Sequence, residues 1–289
     1  MVQHCGNGCR PTALPCHFLD PPGCTIYSGG YTLPLFFLIK MLHNSGKKPT
    51  ALEAHTFMAE IPYPFDTPTI HQNAWRLFRI LAEFVTGFDT FTGSGPFISI
   101  FGSARLTEGH RYYQLGYEVA QKITEKGFSI ITGSGPGIME AANKAAKDAK
   151  RISAGLIPDL PHEPTPNNYL DPKFSVRFRY FFVRKVMFVR YAQGFVFLPG
   201  GYGTLDELFE ILTLVQTQRT LPVPIYLMGA DYWHGLISWI QKTMTHENCV
   251  NEKEWRLFTV TDDPQEVATG LFEGYQSRMK LQQDAMETM

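Results

Sequence analysis

The sequence is short of net charge, of paired cysteines and of long apolar runs, and each shortage removes a class of function. Over 289 residues, 26 Lys and Arg oppose 27 Asp and Glu, a formal net charge of −1. So balanced a chain has no broad attraction for nucleic acid or for an anionic membrane surface. No apolar run reaches the ~20 residues that span a bilayer. The nearest, Leu33 to Leu42, is interrupted by Pro34 and Lys40, and no cleavage-site pattern precedes it, so neither a membrane span nor a secretory signal is expected. Four of the five cysteines, Cys5, Cys9, Cys16 and Cys24, crowd the N-terminus beside His4 and His17. They lack paired C-x-x-C spacing and read as part of a leader rather than a metal site. With Cys249 alone in the remainder, the main body reads as a reduced, cytoplasmic protein.

Several catalytic signatures are also missing. There is no G-x-x-x-x-G-K-[ST] phosphate loop, no G-x-S-x-G elbow and no H-E-x-x-H zinc helix. The histidines are scattered, and none is assigned a role. These absences argue against P-loop nucleotide hydrolysis, serine hydrolysis of the elbow type and zinc peptidase chemistry.

What is present is a globular composition, 44% hydrophobic and 18% charged. Residues 1–68, rich in Cys, Pro and Gly, read as a weakly ordered leader. Residues 69–289 read as a single domain. A helical pattern runs over 69–87. From Pro96 short apolar runs alternate with helical patterns: strands are expected at 97–101, 128–131, 152–157, 195–198, 225–228 and 257–260. Helices are expected at 112–126, 138–150, 177–192, 205–218, 232–245 and 264–280, with a Pro-rich loop over 158–172. Buried strands separated by helices imply an α/β fold, a parallel sheet with helices on both faces. Ligands of such sheets bind at the carboxyl ends of the strands.

Four segments carry chemistry. Gly102-Ser103-Ala104-Arg105 follows the first strand; it is either an ordinary turn or a source of a hydroxyl and N–H groups for a ligand. Gly133-Ser134-Gly135-Pro136-Gly137 follows the second strand and opens a helix. Its spacing is not the dinucleotide fingerprint, because Ile138 stands where the third glycine belongs, so neither NAD nor FAD is expected. Pro136 suits a first helical position. Ile138, Ala141, Ala142, Ala145, Ala146 and Ala149 give that helix a narrow face of small residues. In the stretch 177–190, seven-residue spacing puts Arg177 and Arg184 on one helix face, as anion ligands or as a basic partner-facing surface. Finally, Pro199-Gly200-Gly201-Tyr202-Gly203-Thr204-Leu205-Asp206-Glu207 ends a strand and opens a helix. Glycines without Cβ and unpaired N–H groups at a helix start make an anion site, most simply for phosphate. Glu207 has two readings: a capping box with Thr204 at the N-cap, or an acid facing the cleft. Leu205, Leu208, Phe209, Leu212 and Val215 are expected to form the buried stripe, with Glu207 off it.

Gly133 to Asn143, Phe182-Val183-Arg184-Lys185 and Pro199 to Glu207 resemble the LOG (Lonely Guy) family, over roughly residues 70–275 and in its longer bacterial-type branch. These are cytokinin riboside 5′-monophosphate phosphoribohydrolases, long mislabelled lysine decarboxylases. The resemblance implies a Rossmann-like doubly wound sheet. It implies hydrolysis of the N-glycosidic bond of a nucleoside 5′-monophosphate, AMP or a cytokinin-type relative, to base and ribose 5-phosphate. It makes Arg184 and Glu207 the catalytic pair and Gly200, Gly201, Gly203 and Thr204 the phosphate turn, with Ser103, Gly133 and Gly135 assisting. Met139, Glu140, Lys185 and Arg177 are further candidates for ribose or base contacts. No metal or organic cofactor is implied, and a homodimer or larger assembly is. Relatives of this fold that bind a ligand without turnover, among them a molybdenum-cofactor carrier, supply the competing reading.

Overall fold

The computed structural model describes residues 70–159 and 165–287. The leader, its Cys/His cluster and the apolar stretch at 33–42 lie outside the described residues. Within them, α1 (Ile70–Phe91) leads into β1 (Phe97–Phe101), α2 (Arg111–Glu125), β2 (Ser129–Thr132), α3 (Ile138–Asp148) and β3 (Ser153–Pro158). A 3-10 turn at Pro172–Phe174 precedes β4 (Ser175–Phe178), α4 (Phe181–Tyr191), β5 (Ala192–Phe197) and α5 (Tyr202–Gln216). β6 (Ile225–Leu227), α6 (Ala230–Trp239), β7 (Thr259–Val260) and α7 (Pro264–Glu287) complete the order. A π-helical turn, Ile240–Met244, extends α6, so the helix expected over 232–245 is realised in two geometries.

All seven strands are parallel, in the order β4-β3-β2-β1-β5-β6-β7. Strand alternation sends neighbouring side chains to opposite faces, and both faces are covered. Phe97, Phe101, Phe195 and Phe197 pack with Phe188 of α4, Leu208 and Ile211 of α5 and Trp233 of α6. Ile98, Ile100 and Val196 pack on the other side with Val119 of α2, the alanines of α3 and Leu271 of α7. The small face expected of α3 is buried at Ile138, Ala141, Ala142, Ala145 and Ala146, while Ala149 is exposed beyond the helix end. α2 packs closely against it: a Cβ on Gly116 would lie 3.3 Å from Ile138 Cγ2. The doubly wound α/β class is therefore observed.

One expected element is wrong. The stretch 175–178 is the edge strand β4, not the start of a helix, and α4 begins at Phe181. Val176 and Phe178 turn inward and Arg177 outward, the period-2 pattern of a half-buried strand. The density of arginines and aromatics masked that alternation. Arg177 and Arg184 therefore do not share a helix face.

The carboxyl ends of the central strands approach closely at Gly137. Its φ is 71°, and a Cβ there would lie 2.5 Å from the Ser103 carbonyl oxygen and 2.9 Å from the carbonyl carbon of Ala104. Gly137→Ala should destabilise the protein by about 2 kcal/mol or more, from a strained backbone and a backbone clash together. Gly201→Ala, whose new methyl meets nothing within 4 Å, should stay within about 0.5 kcal/mol of wild type. Urea denaturation midpoints of the two variants check the contrast.

Candidate active site at the β1/β5 switch point

From β1 the chain winds outward to β4, then returns to β5 beside β1 and winds the other way to β7. The direction reverses between β1 and β5, and loops leaving their carboxyl ends diverge there to form a crevice. A cavity of about 820 Å³ occupies it. The loop after β1 supplies Ser103 and Arg105, the loop after β2 supplies Gly133 and Gly135, and Met139 follows on α3. Helix α4 contributes Phe181 and Arg184, and the turn into α5 contributes Gly200, Gly201, Gly203, Thr204 and Glu207.

The turn into α5 has the properties of an anion cradle. Gly201 is the N-cap, in extended conformation and without a side chain to cap the helix. Its carbonyl accepts from the Thr204 and Leu205 N–H groups, at 3.0 and 3.1 Å. The N–H groups of Gly201, Tyr202 and Gly203 find no acceptor among the described residues. These are the open donors every helix start leaves, at its positive dipole end. A Cβ on Gly201 or Gly203 would project into open space, so the absent side chains leave room above the donors. Gly200 serves a different end: a Cβ there would collide with the Thr204 side chain, which folds beneath the turn. Tyr232 braces the turn by donating its hydroxyl to the Gly200 carbonyl.

Helix α5 starts three residues earlier than expected, and that removes the capping-box reading of Glu207. Thr204 is inside the helix, not at its N-cap, so the capping box does not form. The buried face comprises Thr204, Glu207, Leu208 and Ile211, whereas Phe209 is exposed. Glu207 thus lies on the inward face, not off it, where that face meets the cavity. The residue is 3% exposed, and neither carboxylate oxygen has a hydrogen-bond partner among the described residues. Burial pushes its pKa up to about 7; the nearby positive charges of Lys185 and Arg184 pull the other way without overcoming it.

Arg184 is buried on the first turn of α4, its guanidinium carbon 4.1 Å from the centroid of the Phe181 ring. It also borders the second glycine loop: a Cβ on Gly133 would come within 4.0 Å of Nη1. The neighbouring Lys185 does not line the cavity. It is ion-paired with Asp206 at 2.8 Å and with Glu210 at 2.5 Å, fastening α4 to α5 on either side of Glu207. Those bonds, with the charge of Glu207, hold its pKa up although burial, the largest influence, acts downward.

The remaining candidates divide. Met139 lies against the glycine loop, where a Cβ on Gly135 would come within 2.6 Å of its methyl. Glu140 is turned aside and accepts from the Tyr113 hydroxyl at 3.4 Å. Arg177 stands on the edge strand, 4.0 Å from Asp159, and is absent from the cavity wall. The Ser103 N–H is already donated to the Pro199 carbonyl at 3.0 Å, so of the groups expected from Ser103 only the hydroxyl faces a ligand. That hydroxyl accepts from the Arg105 N–H at 3.1 Å and keeps its own proton to donate. Phe181, Arg105, Tyr202 and Tyr232 line the cavity without having been singled out. Arg105 and Tyr202 had a usable signal, since each sits within a strand-end loop already marked by glycine; Tyr232 lies on α6 and had none.

Residues 139–271 match the family model described as "Possible lysine decarboxylase". The chain is 28% identical over 187 residues to the "Probable cytokinin riboside 5′-monophosphate phosphoribohydrolase LOG4" of Oryza sativa subsp. japonica, covering 63% of this chain and 79% of that one. It is 31% identical over 139 residues to the cytokinin riboside 5′-monophosphate phosphoribohydrolase LOG of the same plant, covering 46% of this chain and 55% of the other. Among solved structures, the molybdenum cofactor binding protein of Rippkaea orientalis aligns at 19% identity over 63% of this chain and 98% of its own, with a TM-score of 0.45. The glycine turn, Arg184 and Glu207 share one cavity, and over the region that holds them the chain is similar to this family model and to the plant phosphoribohydrolases.

Proposed function

We propose that this protein hydrolyses the N-glycosidic bond of a nucleoside 5′-monophosphate, releasing the free base and ribose 5-phosphate. One observation carries the reading. A buried carboxyl group with no hydrogen-bond partner among the described residues opens onto the same cavity as a helix start with three open N–H donors. A site that merely held an anion would gain nothing from that acid.

The 5′-phosphate sits over the N–H groups of Gly201, Tyr202 and Gly203, and its binding energy holds the sugar against Glu207. Breaking the C1′–N bond sends the electron pair to the base and leaves positive charge on C1′ and the ring oxygen. Ionised Glu207 stabilises that charge and accepts a proton from the water that adds to C1′; that proton passes to the departing base, which leaves neutral and returns Glu207 to its ionised form. Arg184, held over Phe181, orients the phosphate or the departing base. A dry site magnifies each of these electrostatic effects.

Purified protein incubated with AMP, GMP, CMP, UMP and isopentenyl-AMP should release free base from at least one of them. Glu207→Gln should bind that nucleotide with similar affinity while kcat falls about 10²–10⁴-fold. Base release by the variant at the wild-type rate would remove Glu207 from the chemistry. Tight nucleotide binding by the wild type without release from any substrate would favour a carrier.

The same substitution should strengthen the fold. The folded protein keeps the Glu207 proton up to about pH 7, whereas the unfolded chain loses it near the ordinary glutamate value of 4.5. Between those values the folded state binds more protons, so stability falls as pH rises through the window and the loss is complete above it. At about 1.36 kcal/mol per pH unit the penalty reaches roughly 3 kcal/mol. Glu207→Gln should therefore match the wild type near pH 4 and exceed it at pH 8, by denaturant titration at the two pH values. In turnover the sign reverses: wild-type kcat/KM should rise with pH through about 7 as the carboxylate forms.

A further inference from the structure

The loop after β2 holds a non-glycine residue, Ser134, at a positive φ of 68°, and its conformation is fixed from behind rather than from the cavity. Asn167, from the segment that returns toward β4, is buried, and its backbone N–H donates to the Ser134 carbonyl at 2.9 Å. Its side-chain amide nitrogen lies 3.1 Å from that same carbonyl oxygen, 3.0 Å from the Gly135 carbonyl oxygen and 3.0 Å from Asn143 Oδ1. Asn143 is fully buried, accepts from Thr132 Oγ1 at 2.6 Å and donates to Ser153 Oγ at 2.9 Å. Thr132 Oγ1 in turn accepts from the Ser134 N–H at 3.0 Å. The loop's polar groups on this side are thus satisfied by one buried network, and such a network holds a single geometry.

A trans peptide points its C=O and its N–H in opposite directions. With the Ser134 carbonyl turned onto Asn167, the Gly135 N–H of the same peptide must leave on the other side. Gly135 lines the cavity and Asn167 does not, and the Gly135 N–H has no acceptor among the described residues. The next peptide offers no N–H, because Pro136 follows. The arrangement removes two carbonyl oxygens from the anion's surroundings and leaves one donor facing it.

We propose that Asn167 is a positioning residue of the site: by holding both carbonyls of the Ser134-Gly135 pair, it aims the Gly135 N–H at the anionic group of the bound nucleotide. This rests on the nucleotide reading given above. Asn143, with Thr132 and Ser153, fixes the Asn167 amide and makes the aim rigid. Without the amide the Gly135 carbonyl loses its donor and the Ser134 carbonyl keeps only the backbone N–H of residue 167, so the loop loses part of what holds Ser134 in a conformation L residues avoid.

Asn167→Asp keeps the shape and the backbone N–H but replaces the donor by an acceptor facing two carbonyl oxygens. In the full chain it should weaken AMP binding at least tenfold by calorimetry and raise KM by a similar factor, with kcat within about threefold of wild type. Glu207→Gln should show the opposite split. In the ligand-free protein, amide hydrogen exchange should accelerate at Ser134 and at residue 167, whose N–H groups are bonded within the network, while the buried turn Ala145–Ala146 of α3 exchanges as before. Asn167→Ala, which adds no acceptor, should behave likewise and serves if the aspartate variant does not fold. Unchanged AMP affinity in a folded variant overturns the proposal, as does a uniform rise in exchange across α3, which marks a merely structural role. AMP binding without hydrolysis by the wild type, weakened in the variant, defeats only the catalytic reading and upholds this one. Where the wild type binds another of the five nucleotides in place of AMP, that nucleotide is the probe; absence of binding to all five defeats both.

Discussion

The peptide of Ser103 ties the site together. Its N–H donates to the Pro199 carbonyl at 3.0 Å, and its own carbonyl accepts from the Ile138 N–H at 3.1 Å. Two backbone bonds thereby join the loop after β1 to the turn before α5 and to the start of α3. The glycine clusters on either side are far apart in sequence and have no direct bond of this kind to each other. Their separation is set by Ser103, which explains why Gly137 tolerates no Cβ at the point where it passes the Ser103 carbonyl. In a doubly wound sheet the switch point is where neighbouring loops diverge; here a single residue bridges the divergence and so fixes the width of the crevice.

Against that rigid frame stands one group whose burial is unfavourable. A carboxyl buried with no hydrogen-bond partner costs free energy in either protonation state, and most in the charged one. The surroundings of Glu207 are arranged to limit this cost without removing it. Arg184 and Lys185 attract its negative charge, yet the Lys185 ammonium is bonded to Asp206 and Glu210 rather than to Glu207. Had Lys185 reached Glu207 directly, the acid would be neutralised and held down. Displaced to the flanks, it joins α4 to α5 and leaves the acid poised near neutrality. A stability penalty concentrated at a cavity-lining acid is expected of a functional site and has no structural benefit.

The fold was largely legible because local chemistry and tertiary packing agree. Short apolar runs ended by glycine, followed by amphipathic stretches, located six of the seven strands within a few residues. The seventh, β4, was hidden because Arg177 and its aromatic neighbours resemble the helix that begins three residues later. Half of an edge strand faces solvent, so its signal is only two inward residues, Val176 and Phe178. The site's composition was legible too, since glycine at a strand end has few other uses. Side-chain direction was not. Glu207 was expected off the buried stripe because Leu205, Leu208, Phe209, Leu212 and Val215 outline another face; the helix instead buries Thr204, Glu207, Leu208 and Ile211 and leaves Phe209 exposed. Asn167 gave no signal at all, because its partners are carbonyls more than thirty residues away.

The placement of donors and acid along α5 removes the conflict between them. A carboxylate next to a phosphate would repel it, and a carboxylate far along the helix would not reach the sugar. Tyr202 and Glu207 are five residues apart, which at about 1.5 Å per residue puts the acid roughly 7 Å down the helix axis from the open N–H groups. The dipole end of α5 favours the anion at its mouth, and the low dielectric around Glu207 keeps the acid's charge from forming unless positive charge is near. On the proposed reading, charge on the acid is least costly when the sugar beside it turns cationic, and a helix that binds the anion at its tip would act on the sugar about one and a half turns deeper. The glycines serve the first task and burial serves the second, and neither alone distinguishes this cavity from an ordinary anion site.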